Sequence, residues 1–295
     1  MSRHSRESLR VALQQGYNRL VERTGHWAAS HGRYASWLHE FIVFGIKQAW
    51  SCLFGGLMVA LLLGTHLWYP AHAPLSRYDA LTIAAVLIQI AMLWLRLETL
   101  DEAFVILLFH VAGTAMEVFK TSVGSWEYPE PSLLHIARVP LFTGFMYASV
   151  GSYLARASRQ FQLRFTWHPP RSVTWLLALC IYANFFLDHY GWDIRYGLLG
   201  ATAIIFWRCQ VFFRIDHAYR SMPFLLGFFL IAFFIWLAEN IGSFSHAWLY
   251  PTQMHGWRMV PAAKLGAWFL LTIMSYVMGT SINPPRAPAL PLQRV

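Results

Sequence analysis

The sequence predicts an all-α membrane protein, a polytopic helix bundle with about eight transmembrane helices. Of its 295 residues, 57% are hydrophobic and only 13% are charged, against roughly 25% charged residues in an average soluble domain. The net charge of +9 comes from basic residues between long apolar runs, which is how membrane topology is encoded. Nucleic-acid binding, which needs a clustered basic patch on a soluble surface, is therefore not indicated.

The chain begins with a polar, arginine-rich segment, residues 1–40, which lacks the apolar core of a cleavable signal peptide. Leu9, Leu13, Tyr17 and Leu20 recur in it at helical spacing with arginines around them. This pattern favours an amphipathic helix on the anionic cytoplasmic leaflet. A tail that docks on nothing is the alternative.

Eight apolar runs follow, each about as long as the roughly 17 to 25 residues that a helix needs to cross a bilayer. They lie at about Gln48–Trp68, Ala80–Leu97, Ala103–Val123, Val139–Ala155, Val173–Leu187, Tyr196–Phe213, Pro223–Ile241 and Leu265–Ser281. The fifth run is short and extends to Tyr190 if the polar residues after it continue the helix. With the N-terminus inside, the inner segments hold 17 of the 23 Lys and Arg residues. This bias predicts that both termini are cytoplasmic, including a Pro-rich tail at 283–295.

The chain carries two similar segments, Glu117–Pro129 (EVFKTSVGSWEYP) and Glu239–Pro251 (ENIGSFSHAWLYP), which we call the motif segments. Glu, Trp, Tyr and Pro recur in them at the same spacing, 122 residues apart. They predict that the transmembrane domain, residues 41–282, is built from two parallel four-helix repeats, at about 41–156 and 172–282. Both motif segments would then emerge on the outer face.

Glu117 and Glu239 are the candidate catalytic residues. An ionisable side chain at membrane depth is expensive and so faces protein or water, and a buried carboxyl suits a general acid or a proton carrier. His110 precedes Glu117 by two helical turns and shares its face, which makes it a candidate ligand-binding residue. The alternative is that each glutamate accepts hydrogen bonds from its Trp and Tyr neighbours and clamps two helices together.

The aromatic residues of the motif segments, Trp126, Tyr128, Trp248 and Tyr250, are candidate substrate-binding residues. Amphipathic rings also form interfacial belts in membrane proteins, so a structural role is equally open. Their fixed distance from a glutamate favours a ligand lining or clamp.

A second group of candidates lies on the fifth predicted helix and the loop after it: Asn184, Asp188, His189, Asp193 and Arg195. If the two halves pack around a common axis, this group converges with the glutamates and with Arg77. Its carboxylates and histidine could hold a divalent metal, but no ligand spacing typical of a metal site occurs. A salt-bridged outer loop, with Asp193 paired to Arg195, is the simpler interpretation, and no metal site is predicted.

Four segments, FHVAGTAMEVFKTSVGSWEYPE, FTGFMYASVGSYLARA, NFFLDHYGWDIRY and FFIWLAENIGSFSHAWLYP, resemble the YoaT-like family of bacterial integral membrane proteins, a family of unknown function. The resemblance covers about residues 40–282; it implies a bacterial inner-membrane protein and no particular activity. A shorter likeness links Glu117, Gly124, Trp126 and Tyr128 to carotenoid-pathway membrane cyclases and hydratases, which also carry a membrane Glu followed by a Gly/Trp/Tyr segment. In the second motif segment His246 stands where this glycine would fall.

Three functions are compatible with these patterns. The first is a membrane-embedded enzyme that uses Glu117 and Glu239 as acid and base on a lipid or isoprenoid-like substrate, in an outward-facing pocket with aromatic walls. The second is a small-solute or proton-coupled transporter, and the third is a non-catalytic scaffold. The bilayer is the expected partner, with a lipid or small molecule as ligand, and the sequence leaves cofactor and oligomeric state open.

Overall fold

The computed structural model describes residues 3–216, 219–281 and 283–288. In this part of the chain the fold is helical, as predicted, with ten α-helices and five short strands. The helices are α1 (Arg3–Ser30), α2 (Arg33–Ser51), α3 (Leu53–Trp68), α4 (Arg77–Trp94), α5 (Leu100–Ser122), α6 (Phe142–Gln160), α7 (Arg171–Leu187), α8 (Arg195–Phe206), α9 (Phe224–Phe244) and α10 (Ala263–Gly279). The strands are β1 (His135–Ile136), β2 (Val139–Pro140), β3 (Arg164–Thr166), β4 (Gln210–Arg214) and β5 (Tyr219–Pro223).

Four of the described helices are long and apolar enough to cross a membrane: α4, α5, α7 with the short 3₁₀ turn after it, and α9. The span of α7 reaches Tyr190, so the extension of the fifth run is confirmed. The count becomes five if α2 and α3 form one bent span, while α8 and α10 are shorter apolar helices. These helices are typical of a membrane protein.

The first predicted run, Gln48–Trp68, is not one straight helix. The chain turns by 72° between α2 and α3, at Cys52. Upstream, the backbone of the predicted amphipathic segment is helical over Arg3–Ser30. The side chains of Leu9, Leu13 and Tyr17 lie outside the described part of the chain.

The sixth predicted run, Tyr196–Phe213, is helical only as far as Phe206. Its second part enters β4, the central strand of an antiparallel sheet with the order β3, β4, β5. The prediction of helix here was wrong because a short apolar run fits either state. The Val-Phe-Phe sequence at 211–213 is of the β-branched and aromatic type that strands favour, and Val211 and Phe212 are buried in the sheet.

The helices that carry the site pack closely. A capping box between Thr99 and Glu102 starts α5, with hydrogen bonds of 3.2 and 2.8 Å. α5 then runs along α6, α9 runs along α10, and α10 also contacts α6 and α7. The α5–α6 contact is close enough that a Cβ on Gly113 would lie 2.6 Å from the Tyr147 side chain. Missing side chains of this kind let membrane helices approach each other.

Candidate functional site

The two motif helices end in the same way. α5 ends at Ser122 and α9 at Phe244, equivalent positions of the two motif segments. Two residues later, Gly124 and His246 both adopt a positive φ, 73° and 54°. The N–H of the next residue then donates to a carbonyl five positions back, at 2.9 and 3.1 Å. This left-handed termination satisfies the last helix carbonyls and turns each chain back over its own glutamate.

Glu117 is buried, with 4% of its surface exposed, and accepts three hydrogen bonds. The indole N–H of Trp126 donates at 2.7 Å and the Tyr147 hydroxyl from α6 also at 2.7 Å. The third donor is the Tyr128 hydroxyl. A buried carboxyl therefore has a complete set of donors, two from its own motif segment and one from the next helix.

Glu239 is buried at 6% exposure but has a different set of partners. The Tyr250 hydroxyl donates to one carboxyl oxygen and the Trp268 indole N–H, from α10, to the other. Trp248, which matches Trp126 in the sequence, lies instead against Gly242, where an added Cβ would overlap its ring. In both motif segments the Tyr hydroxyl donates to the glutamate. In the second segment the indole donor is Trp268 of α10 and not the segment's own Trp248.

The loops of the two motif segments pair with each other. Glu127 and Leu249, at equivalent positions, exchange two backbone hydrogen bonds of 3.0 and 2.9 Å as an antiparallel bridge. Beside this bridge the ring of Trp126 meets the ring of Tyr250 edge to face, with centroids 5.9 Å apart. The donors of the two glutamates are therefore in contact across the bridge.

Lys264, at the start of α10, completes the charged part of the site. Its ammonium lies 4.9 Å from the Trp126 ring centroid and 4.6 Å from that of Tyr250, within cation–π range. Its charge also acts on both Glu117 and Glu239. One ammonium thus lies over a ring that donates to each glutamate and interacts electrostatically with both carboxyls.

The phenols of the motif segments remain hydrogen-bond donors at neutral pH. Burial, reinforced by the neighbouring Glu117 carboxyl, raises the pKa of Tyr128 well above its usual range. Burial and the Glu239 carboxyl do the same to the pKa of Tyr250. Both hydroxyls therefore keep their protons and can hold a carboxylate in place.

Both glutamates line one cavity of about 1430 Å³. Its walls come from α2, α3, α5, α6, α9 and α10 and are mostly apolar, with residues such as Phe228, Ile231, Phe234 and Leu271. This volume exceeds the roughly 300 to 1,000 Å³ of ordinary small-molecule pockets. Lys264 and Thr280, near opposite ends of α10, both line it, so the cavity follows the helix for about 24 Å at 1.5 Å per residue.

The cavity is closed near the motif segments and open elsewhere. Among the described lining residues at the motif end, from the glutamates to Trp268, none is exposed. Exposed lining residues lie at the opposite end and on the side; Phe41, Leu230 and Phe234, at 59%, 42% and 68% exposure, mark an apolar lateral edge. The sequence predicts a pocket that opens beside the motif segments, whereas the loop-to-loop bridge covers that end.

The second group of candidates forms a cluster beside the end of α7, linked to the motif helix α5 by Lys120. Lys120 pairs with Asp188 at 2.5 Å, and Arg195 lies 3.5 Å from both Asp188 and Asp193. Asn184 is buried and accepts from the backbone N–H of residue 194 at 2.9 Å. His189 is exposed and touches only aromatic rings, Phe119 and Tyr190, in its described contacts. In the described part of the chain no group of three His, Cys, Asp or Glu residues could hold a metal ion.

Arg77 and His110 lie away from the cavity lining. Arg77 is buried and pairs with Glu130 at 2.6 Å and with the Ser245 carbonyl at 2.6 Å, so it fastens the end of α9. His110 faces Phe145, with ring centroids 4.6 Å apart, and its Nδ1 is buried beside the backbone of Gly144. Neither side chain lines the cavity that holds the glutamates.

Three residues of the site were missed by the sequence analysis: Tyr147, Trp268 and Lys264. The spacing of 122 residues marks neither of the first two, since the positions equivalent to Tyr147 and Trp268 hold Phe269 and Met146. Lys264 gave no signal through the repeat, since its equivalent position holds a phenylalanine. It was counted only as an outer-loop charge.

Fold and site together define a helical membrane-type protein with two buried, hydrogen-bonded carboxyls at the closed end of an apolar cavity. Residues 40–276 match the family model described as "Protein of unknown function (DUF817)", and the chain belongs to that family. It is 43% identical over 246 residues to the "Uncharacterized protein YoaT" of Bacillus subtilis (strain 168), a match that covers 83% of this chain and 92% of the relative. The YoaT-like resemblance is thereby confirmed. No solved structure matches the chain.

Proposed function

We propose that this protein binds an elongated apolar molecule, of lipid or isoprenoid type, in its cavity and acts on one end of it with Glu117 and Glu239 as acid and base. The observation that carries the proposal is that both glutamates line the same large apolar cavity. A chain-like molecule fits a space that follows α10 for about 24 Å. The exposed apolar edge of the cavity, with Phe41 and Phe234, gives such a molecule access from a bilayer.

The two carboxyls have unequal surroundings, which suits opposite roles in proton transfer. Glu117 is held by three donors and Glu239 by two. Enzymes that use two carboxyls assign acid and base by giving each a different environment. Because the phenols and indoles are donors, they also fix the position of each carboxyl oxygen relative to a bound molecule.

Lys264 limits the charge of the group that the aromatic rings can bind. A cationic intermediate would be stabilised by open ring faces, but the faces of Trp126 and Tyr250 already carry an ammonium. This arrangement favours a neutral or partly negative group at the closed end of the cavity, which Lys264 would stabilise while it balances the charge of the glutamates.

We also propose eight spans, arranged as two parallel repeats in a bacterial inner membrane with both termini cytoplasmic. Each of the eight apolar runs overlaps an α-helix. The matching helix ends, the matching left-handed residues and the Glu127–Leu249 bridge support the repeat. The excess of basic residues in the inner segments supports the orientation.

The second candidate function is transport. One observation favours it: the cavity extends from the glutamates to exposed, charged residues at the far end of α6 and beyond α10, such as Arg159 and Arg286. A rocking motion of the two halves would then open the end that the loop bridge now closes, and the glutamates would carry protons or a cation.

The test compares Glu117→Gln and Glu239→Gln with Glu127→Gln, an exposed glutamate of the same motif segment. Lipids bound to each purified protein are extracted and identified by mass spectrometry. We expect the first two variants to fold, and to retain an apolar molecule that the wild type and the Glu127→Gln control convert and release.

Two results would contradict this. If none of the four proteins retains any apolar molecule, lipid binding is wrong. If the two site variants retain the same molecules as the wild type but lose solute or proton uptake in proteoliposomes, the protein is a transporter. Aggregation of both variants would instead support the helix-clamp interpretation, which a structure of the Glu117→Asp variant would check.

A further inference from the structure

We infer that the end of the cavity opposite the motif segments binds the phosphate of an anionic single-chain lipid whose chain fills the cavity. We call this end the inner end; Arg164 and Arg286 line it. The inference rests on the proposed function, since it requires a chain in the cavity. It adds the chemistry of the headgroup and the direction in which the molecule lies.

The two arginines are brought together by backbone pairing. Arg164 begins β3, and the next residue, Phe165, donates its N–H to the carbonyl of Arg286 at 2.9 Å. Two prolines precede Arg286 and restrict its backbone. The backbones of the two arginines are therefore neighbours and both residues line one cavity, although 122 residues separate them in the chain.

Neighbouring arginines are already engaged, whereas these two are not. Arg156 donates to the carbonyls of Leu97 and Trp50 at 3.1 and 2.6 Å. Arg159 pairs with Glu102 at 2.9 Å. In the described residues, the guanidinium groups of Arg164 and Arg286 have no hydrogen bond or acidic partner.

The charge at the inner end therefore favours an anion. Two acidic residues line it, Asp101 and Glu102, and Glu102 forms a salt bridge with Arg159. Among the described residues of this end, two arginines and one exposed aspartate are then left without an ion-pair partner. Arginine forks bind phosphate oxygens through paired, charge-assisted hydrogen bonds, which makes phosphate the best match for this pair.

The spacing between the ends matches a single chain. With its phosphate at Arg164 and Arg286, a lipid chain would run along α10 for about 24 Å and place its far end beside the glutamates. The wall along that path is apolar, with Phe228 and Leu271 among its residues. The proposed acid–base chemistry would thus act on the end of the chain remote from the headgroup.

The experiment measures binding of three probes to the purified full-length protein in a neutral detergent, by intrinsic tryptophan fluorescence. The probes are a single-chain phosphatidic acid, a single-chain phosphatidylcholine with the same chain, and inorganic phosphate. The variants are Arg164→Gln, Arg286→Gln and their combination. Arg171→Gln is the matched control, because Arg171 is an exposed arginine in the same connection as Arg164 but does not line the cavity.

We expect the phosphatidic acid to bind to the wild type most tightly. The double variant should bind it at least about tenfold more weakly, as loss of charge-assisted hydrogen bonds predicts. Arg171→Gln should change this affinity by less than about twofold, and phosphatidylcholine binding should differ little among all variants.

Three results would overturn the inference. If the two lipids bind equally well to the wild type, the cavity still binds a lipid, but the inner end does not recognise a phosphate headgroup. An equal loss of affinity in Arg171→Gln would mean that general surface charge, and not these two arginines, attracts the lipid. Tight binding of inorganic phosphate, with no gain from the chain, would make the arginines a free-anion site. Failure of both lipids to bind would instead reject the proposed function itself.

Discussion

The two motif segments share their sequence pattern but not their contacts. In the first, Trp126 and Tyr128 both donate to Glu117. In the second, Tyr250 donates to Glu239 while Trp248 packs over Gly242, and Trp268 of another helix supplies the indole. The shared sequence pattern therefore includes the acid, the turn and the tyrosine, whereas the indole that donates to the second carboxyl depends on helix packing.

One residue difference accounts for this. The position of Gly242 is occupied in the first segment by Lys120, whose side chain reaches across to Asp188. The ring of Trp126 cannot pack against the helix backbone at position 120, because the Lys120 side chain occupies that surface. Trp126 therefore turns to its glutamate, while Trp248 fills the groove that glycine leaves open.

The largest expected effect comes from removal of each carboxyl. Glu117→Ala leaves three buried donors without an acceptor and Glu239→Ala leaves two, and each such donor costs about 1–3 kcal/mol. We expect both variants to melt earlier in detergent than the wild type, with the larger decrease for Glu117→Ala. Glu127→Ala, at an exposed position of the same loop, should stay within about 0.5 kcal/mol of the wild type. Equal decreases for the two site variants would mean that the donor sets are equivalent.

Next in size is the Gly242→Ala variant. A methyl group at this position overlaps the Trp248 ring and forces it to move, which should destabilise the protein by about 2 kcal/mol. Gly197→Ala is the control, because its position in α8 has no atom within 4 Å of an added Cβ. That substitution should be neutral or slightly stabilising. A Gly242→Ala variant that melts like the wild type would show that Trp248 does not depend on this groove.

A series of Trp→Phe substitutions tests whether tryptophans at equivalent sequence positions contribute equally to stability or differ as their contacts do. Trp126→Phe and Trp268→Phe each remove an indole donor from a buried carboxyl, and should cost about 1.5 kcal/mol more than Trp248→Phe. All three lose similar ring volume, so the difference reports the hydrogen bond. Chemical unfolding in detergent measures the free energy of unfolding of each variant. If Trp248→Phe proves as costly as Trp126→Phe, the two segments use their tryptophans alike.

The smallest effect concerns the left-handed residues. Gly124→Ala places a side chain at φ 73° and should cost about 1 kcal/mol. His246→Gly relieves the same conformation at φ 54° and should be neutral or slightly stabilising. Opposite signs of these two changes in melting temperature are the expected result. A loss of stability in His246→Gly would mean that the ring of His246 contributes more than its backbone costs.

The helical membrane-type fold could be predicted from the sequence, because apolar runs of spanning length must satisfy their backbone hydrogen bonds internally. The sequence also located the two glutamates and the tyrosines that bind them, since these depend on short-range spacing along one helix and its following loop. The bend at Cys52 and the strand at 210–214 could not be predicted from the sequence, because the secondary structure of a short apolar segment depends on its tertiary contacts.

The side chains that surround the carboxyls and the place where the cavity opens depend on how the helices pack. Tyr147, Trp268 and Lys264 reach the site from other helices, and no spacing along the chain encodes the distance between helices. The same is true of the Glu127–Leu249 bridge, which closes the motif end of the cavity and leaves its opening to the opposite end and the side. Contacts between helices arise from packing of whole surfaces, which a pattern within one segment does not specify.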